Sequence, residues 1–224
     1  MNKGKLIVIE GTDGSGKTTQ LSLAVDELKK SGNKVAVFDF PQYEKTFFGK
    51  FVKRFLTGEF GGLADIDPYL ASFPYAFDRW QAGEEIRKEL NDGKLVFCNR
   101  FTGSNMAHQM AKLSDEKKDA YLSWVTEMEF KVLKTPKPDL IIFLHVAPEV
   151  AFNLMTKRCE MTGQEKDIAE ANLEHQKETE NVYLQLVKNN PEWRRVECVK
   201  DGNILSREEI HKEVMKKINN KLSL

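Results

Sequence analysis

The chain has 224 residues, and its 34 Lys and Arg residues balance its 34 Asp and Glu residues, so the formal net charge is zero. This length fits one α/β domain, whereas a dedicated nucleic-acid binder would usually be strongly basic. The longest apolar runs, such as Leu140 to Leu144, are too short to cross a bilayer. Three cysteines without Cys-x-x-Cys spacing indicate reduced thiols. We therefore expect a cytoplasmic protein that binds neither nucleic acid nor membrane.

Strand and helix patterns alternate along the chain. Short apolar runs predict strands at residues 6–9, 35–38, 95–98 and 140–144, with a weak fifth at 195–199. Helical spacing of apolar residues predicts helices after residue 16, over 69–91, 114–134, 148–158 and 168–188, and from 206 onward. Pro74 is expected to break or kink the second of these helices. The alternation predicts one domain over residues 1–224, with a five-stranded parallel sheet covered by helices on both faces.

A glycine-rich segment, Gly11-Thr-Asp-Gly-Ser-Gly-Lys-Thr18, separates the first strand from the first helix and fits the pattern G-x-x-x-x-G-K-[ST]. Its glycines allow backbone N–H groups to surround a phosphate without an intervening Cβ. Lys17 would neutralise the outer phosphates, and the Thr18 hydroxyl would bind Mg²⁺. The motif therefore predicts a nucleoside triphosphate site. Its predicted nucleotide-binding residues are Gly11, Asp13, Gly14, Ser15, Gly16, Lys17, Thr18 and Thr19.

Further segments make the chain similar to the thymidylate kinases, P-loop nucleoside monophosphate kinases that phosphorylate dTMP. In chain order they are Ile9 to Gln20, Phe40-Pro41, Tyr75-Ala-Phe-Asp-Arg79, Asn99-Arg-Phe101, Ser104-Asn-Met-Ala-His-Gln109, Asp167 to Glu170, and Tyr183. The resemblance implies a three-layer P-loop NTPase fold with a mobile lid at about residues 156–167. It also implies ATP and Mg²⁺ as cofactors, dTMP as the acceptor substrate, and a homodimer.

The resemblance also predicts a site for the acceptor nucleotide. Tyr75 and Arg79 are four residues apart, so on a helix they share one face. Arg79 and Arg100 are expected to hold the monophosphate, because a guanidinium binds phosphate oxygens in pairs. Asn105 carries both a donor and an acceptor for the edge of a pyrimidine base. Taken alone, Tyr75 also fits a core aromatic. The predicted acceptor-binding residues are Phe40, Tyr75, Arg79, Arg100, Asn105 and His108.

Phosphoryl transfer needs positive charge over the migrating group and little covalent chemistry from the protein. In the family, an arginine of the phosphate loop or of the lid supplies it. Gly14 stands at the loop position, so the resemblance assigns this role to the lid, with Arg158 first and Lys166 second. Asp13 is implied to lie near the sugar and the metal. The predicted catalytic residues are Lys17, Arg158, Arg100 and Asp13.

Asn99 departs from the family pattern, which has an aspartate beside Mg²⁺ at this strand end. Asparagine keeps one acceptor oxygen but cannot ionise. In one interpretation Asp13 or Glu10 acts in its place through a bound water; in the other the protein keeps the fold but its activity is lost or changed. The predicted reaction is ATP + dTMP → ADP + dTDP by direct in-line transfer. Two alternatives stay open: a kinase of another (deoxy)nucleoside monophosphate, and a catalytically weak nucleotide-binding regulator.

Overall fold

A five-stranded parallel sheet forms the centre of the fold, as the sequence predicts. The computed structural model describes residues 3–61, 66–152, 154, 156 and 172–222. The strands are β1 (Lys5–Glu10), β2 (Val35–Asp39), β3 (Leu95–Asn99), β4 (Leu140–His145) and β5 (Trp193–Glu197). Their order across the sheet is β2-β3-β1-β4-β5. The fifth strand begins two residues before the predicted 195–199, and a short antiparallel hairpin of β6 (Val199–Lys200) and β7 (Asn203–Ile204) follows it.

Helices cover both faces of the sheet. They are α1 (Lys17–Lys30), α2 (Phe47–Leu56), α3 (Pro68–Asn91), α4 (Thr102–Met110), α5 (Asp115–Glu127), α6 (Leu173–Asn189) and α7 (Arg207–Leu222), and residues 148–152 are also helical. Alternate residues of β1 face opposite ways: Leu6 and Val8 pack toward α3 to α6, whereas Ile7 and Ile9 pack toward α1 and α7. These two apolar cores give the three layers of a P-loop NTPase fold.

Two helix predictions hold only in part. Pro74 does not interrupt α3, which continues from Pro68 to Asn91. A proline removes the hydrogen bond to the carbonyl four residues earlier, here that of the exposed Leu70, and burial of the opposite face holds the helix together. The predicted helix over 114–134 ends as an α-helix at Glu127, and a π-helical turn, Met128–Val132, follows it. The helices α2 and α4 are additions to the predicted elements.

The topology places a crevice at the carboxyl ends of β1, β2 and β3. Because β1 lies between β3 and β4, the strand order reverses at β1, which is where open α/β sheets bind ligands. Glu10, Asp39 and Asn99 are the last residues of these three strands. In the part of the chain that the structure describes, no helix has the length and apolar character needed to span a membrane.

Candidate active site

The phosphate-binding loop connects β1 to α1 in the position that the motif predicts. Gly14 and Gly16 have φ values of 78° and 83°, which glycine adopts without strain. The Lys17 ammonium donates to the Thr12 carbonyl oxygen across the loop at 2.7 Å. Among the described residues, no side chain caps the N-terminus of α1, and the buried hydroxyls of Thr12 and Ser15 have no hydrogen-bond partner. The loop thus presents unpaired donors to an anionic ligand.

Thr18 and Thr19 form the first turn of α1, with the exposed Thr18 beside the end of β3. The Thr18 Oγ1 lies 3.4 Å from Asn99 Nδ2, and the buried Asn99 Oδ1 has no partner within the described part of the chain. These oxygens are the hard ligands that Mg²⁺ takes in proteins. No group of three or more His, Cys, Asp or Glu side chains among the described residues is arranged to hold a metal ion. A bound Mg²⁺ would therefore depend on nucleotide phosphates for much of its coordination.

Arg100 connects the phosphate loop with the neighbouring pocket. Its guanidinium forms an ion pair with Asp13 and donates to Ser104 Oγ at 3.1 Å. Burial raises the pKa of the Asp13 carboxyl, but the charges of Arg100 and Lys17 outweigh burial and hold that pKa well below its usual range. The backbone of Arg100 has φ 59°, a conformation that costs a non-glycine residue about 1–3 kcal/mol. The strained backbone thus belongs to a residue whose cationic side chain lines the site.

One pocket beside the loop collects every residue predicted for the acceptor nucleotide. The predicted residues on its wall are Asp13, Phe40, Tyr75, Arg79, Arg100, Asn105 and His108. Sequence reasoning assigned no site role to other wall residues, namely Leu56, Lys112 and His175, nor to Phe101 and Gln109 of the family motifs. Asp13 belongs to the phosphate loop, and Arg100 contacts it. Because both residues also line the pocket, the phosphate loop and the pocket form one continuous site.

Arg79 marks what we call the inner end of the pocket, and it forms a buried ion pair with Glu129, which does not itself line the pocket. Arg79 binds Glu129 through Nε and Nη2, and the exposed fractions of the two side chains are 3% and 0%. Arg79 Nη1 also lies 3.4 Å from the Phe101 carbonyl oxygen, and Thr135 Oγ1 donates to Glu129 Oε2 at 2.9 Å. Glu129 belongs to the π-helical turn, a feature frequent at functional sites. The sequence offered no signal for this pair, because its members are 50 residues apart.

Aromatic rings form two sides of the pocket. The buried Phe40 ring packs edge-on against Phe101, with 5.5 Å between centroids. The half-buried Tyr75 ring lies edge-on to Phe55 at 6.3 Å. Between them, the buried Asn105 Nδ2 donates to the Ser72 carbonyl oxygen at 3.4 Å, while its Oδ1 has no partner among the described residues. In the described part of the chain, the pocket thus combines apolar walls with two acceptors that have no partner, Asn105 Oδ1 and Gln109 Oε1.

A histidine pair borders the outer part of the pocket. His108 Nδ1 lies 3.4 Å from His175 Nε2. Burial, together with the nearby charge of Arg100, lowers the pKa of His108 to about 3, so this ring is neutral near pH 7. Burial also lowers the pKa of Lys112 to about 8. The structure therefore places a neutral imidazole at the position predicted to face the sugar.

Glu10 is a structural carboxylate. It is fully buried and accepts hydrogen bonds from the Phe101 and Ser104 backbone N–H groups, the Ser104 hydroxyl and the Tyr183 hydroxyl. These contacts hold the start of α4 against β1. Glu10 has no free oxygen with which to replace the charge missing at Asn99, and Asp13 is already paired with Arg100.

Apart from Thr156, the predicted lid at about residues 156–167 lies outside the described residues. Thr156 is described, and it donates to the Phe152 carbonyl oxygen at 2.9 Å. Arg158 and Lys166, the two candidates for the catalytic cation, belong to the part of the chain that the structure does not describe.

Proteins similar to this chain in sequence include several named thymidylate kinases. The family model for thymidylate kinase matches residues 9–214. The chain is 32% identical to the thymidylate kinase of Mycobacterium tuberculosis over 182 residues, 81% of this chain and 85% of that one. It is 32% identical to a protein of Thermococcus onnurineus named "Probable thymidylate kinase" over 222 residues, 96% and 98% of the two chains.

The fold also matches that of a solved relative. The structure of thymidylate kinase from Candida albicans superposes with a TM-score of 0.76 and 22% identity, covering 97% of this chain and 92% of that one. Neither alternative left open by the sequence is favoured by these matches. The chain belongs to the thymidylate kinase family of nucleoside monophosphate kinases, and it is a phosphotransferase.

Proposed function

We propose that this protein transfers the γ-phosphate of ATP to dTMP, giving dTDP and ADP. The observation that carries the proposal is the continuity of the acceptor pocket with the phosphate loop through the Arg100–Asp13 ion pair. A nucleotide with its base at the inner end of the pocket would direct its phosphate toward Arg100. In-line transfer between two bound nucleotides gains most of its rate from such positioning.

The inner end of the pocket suits thymine. Thymine presents an N3–H donor flanked by two carbonyl acceptors, and the unused Asn105 Oδ1 can accept from that donor. Arg79 has donors only, so it can bind a carbonyl oxygen but cannot accept from the amino group of cytosine. The apolar rings of Phe40 and Phe101 offer contact for the thymine methyl group. This arrangement supports dTMP over a cytosine nucleotide.

The pairing of Arg79 with Glu129 bears on its predicted role as a phosphate ligand. Because the pair is neutral as a unit and buried, it suits a neutral carbonyl better than a phosphate dianion. We therefore propose Arg79 for the base and Arg100 for the phosphate of dTMP. Tyr75 would stack on the base, and the neutral His108 would contact the sugar.

Lys17 and the N–H groups of the phosphate loop would hold the transferred phosphoryl group, with Arg158 of the lid as the proposed additional cation. Mg²⁺, when bound with ATP, neutralises charge on the phosphate oxygens, and Thr18 is its proposed protein ligand. An oxygen of the dTMP phosphate attacks the γ-phosphorus and ADP leaves, so no side chain forms a covalent intermediate. Closure of the lid would exclude water and suppress ATP hydrolysis.

We further propose a single cytoplasmic kinase domain that forms a homodimer. An aromatic row on α2 and α3 supports the dimer. In it, Phe47 packs on Phe48, Phe48 on Phe77, and Phe77 on Phe73. Phe47 is 69% exposed, and Trp80 of α3 is 52% exposed, so this side of the molecule leaves apolar surface uncovered. Light scattering at several protein concentrations would measure the mass directly.

The transfer itself is tested with ATP labelled at the γ-phosphate. Incubation with Mg²⁺ and dTMP should move the label into dTDP, and Lys17→Ala should abolish this transfer while leaving the far-UV circular dichroism unchanged. Label released only as inorganic phosphate would indicate an ATPase. ATP binding without transfer to any monophosphate would contradict the proposal and favour a regulator.

A further inference from the structure

An acid and an amide lie side by side at the ends of two neighbouring strands. Asp39 ends β2 and Asn99 ends β3, and the two residues are direct partners in the parallel register. Asn99 Nδ2 donates to Asp39 Oδ1 at 2.8 Å, and the same nitrogen lies 3.4 Å from Thr18 Oγ1. The Asp39 carboxylate is therefore separated from the Thr18 hydroxyl by one amide group.

A phosphate-loop enzyme normally holds Mg²⁺ with the loop hydroxyl and an acidic residue at a strand end. The hydroxyl here is that of Thr18, but the side chain nearest to it on β3 is the uncharged Asn99. Glu10 is saturated with hydrogen bonds, and Asp13 is paired with Arg100. Asp39, by contrast, has a single recorded hydrogen-bond donor, the Asn99 amide, and no recorded ion pair among the described residues.

We propose that Asp39 supplies the acidic partner of the nucleotide-bound Mg²⁺ in this chain, with Asn99 as the positioning residue that holds its carboxylate toward Thr18. In the family pattern the acidic residue stands at the Asn99 position on β3, whereas here it stands on the neighbouring β2. Adjacent strands are about 4.8 Å apart, so the negative charge stays at the same edge of the sheet. The inference rests on the proposed binding of ATP with Mg²⁺ at the phosphate loop.

The surroundings of Asp39 agree with this role. Asp39 is exposed to solvent at the end of β2, and its Oδ1 faces the Asn99 amide that also lies beside Thr18. The carboxylate is therefore open to a metal ion bound at the Thr18 hydroxyl.

Binding of Mn²⁺, followed by electron paramagnetic resonance in the presence of ADP, tests the proposal without reference to turnover. Asp39→Asn should weaken Mn²⁺ binding to the protein–ADP complex by about 10-fold to 100-fold. Its affinity for ADP in the absence of metal should not fall, because the phosphate loop is intact. Asp92→Asn is the matched control, since this exposed aspartate follows α3 at the opposite end of the sheet.

The exchanged variant Asp39→Asn/Asn99→Asp tests the same point by rescue. This variant again has one carboxylate and one amide at the ends of β2 and β3, with their positions exchanged. Its Mn²⁺ affinity should therefore recover to within about threefold of the original protein. Thermal melting of both variants tests whether a change in metal binding comes from unfolding, and we expect both to stay folded.

Two results would overturn the inference: an unchanged Mn²⁺ affinity in Asp39→Asn, or Asn99→Asp alone binding Mn²⁺ about 10 times more tightly than the original protein. The second result would mean that the native site lacks an acidic partner. If the original protein failed to bind ADP at all, the proposed function itself would fall. ADP binding with an unaffected Asp39→Asn would instead refute only the role of Asp39.

Discussion

Replacing Glu129 by glutamine should strongly destabilise the protein, because it leaves the charge of Arg79 buried without its counter-ion. Both side chains are almost fully excluded from solvent, at 3% for Arg79 and 0% for Glu129, so water cannot screen the remaining charge. Glutamine keeps the shape and can still accept from Thr135 Oγ1. Breaking one member of a buried ion pair typically costs about 3–5 kcal/mol, a large share of the roughly 5–15 kcal/mol that holds a domain folded.

Urea denaturation of Glu129→Gln at neutral pH measures this loss in the free energy of unfolding. The matched control is Glu85→Gln, which breaks an ion pair with Lys45 of similar length, 2.7 Å, whose side chains are 52% and 59% exposed. The control should cost less than about 1 kcal/mol, because exposed pairs contribute little. In the folded fraction of Glu129→Gln, the KM for dTMP should rise above that of the original protein. The KM for ATP should rise less. A loss no larger than that of the control would refute the reasoning.

Three further changes probe separate parts of the molecule. Asn105→Ala should raise the KM for dTMP about 10-fold and leave that for ATP unchanged, since it removes one hydrogen bond of the base pocket; equal effects on both would argue against the assignment. Gly11→Ala would bring a Cβ to 2.9 Å from the Leu144 carbonyl oxygen, so ATP titration should show a loss of at least about tenfold in affinity. His145 has its pKa raised by the hydrogen bond to Glu180, so its stabilising effect is full below the unfolded pKa and vanishes as pH rises through the folded one. The stability difference between the original protein and His145→Gln should accordingly be larger at about pH 5.5 than at about pH 9, and a reversed order would contradict this sign.

The sequence predicted those parts of the fold whose cause is local. The β-branched runs of β1 and β4 are buried on both faces, and the phosphate loop carries its glycines where the turn needs them. The helix α4 escaped prediction because Thr102-Gly-Ser-Asn is a poor helix former. It is held by Glu10, whose carboxylate receives the backbone N–H groups of Phe101 and Ser104 from 91 and 94 residues away.

The residues of the candidate site likewise divide into those that the sequence predicted and those that only the tertiary structure reveals. The family motifs place Tyr75, Arg79 and Asn105 in one pocket, as the resemblance implies. Two further acids required the tertiary structure: Glu129 reaches Arg79 only through the π-helical turn, and Asp39 meets Asn99 only through the register of β2 and β3. Neither pairing leaves a periodic signal in the chain.

The proposed function is that one continuous site transfers phosphate from ATP to a thymine nucleotide. Its most direct test is the ratio of kcat/KM values for dTMP, dUMP, dCMP, UMP, CMP, AMP and GMP with Mg²⁺ and ATP, following ADP and the new diphosphate together. We expect dTMP to have the highest value and dCMP a far lower one, because Arg79 can only donate to the base. A preference for dCMP or a purine nucleotide would contradict it.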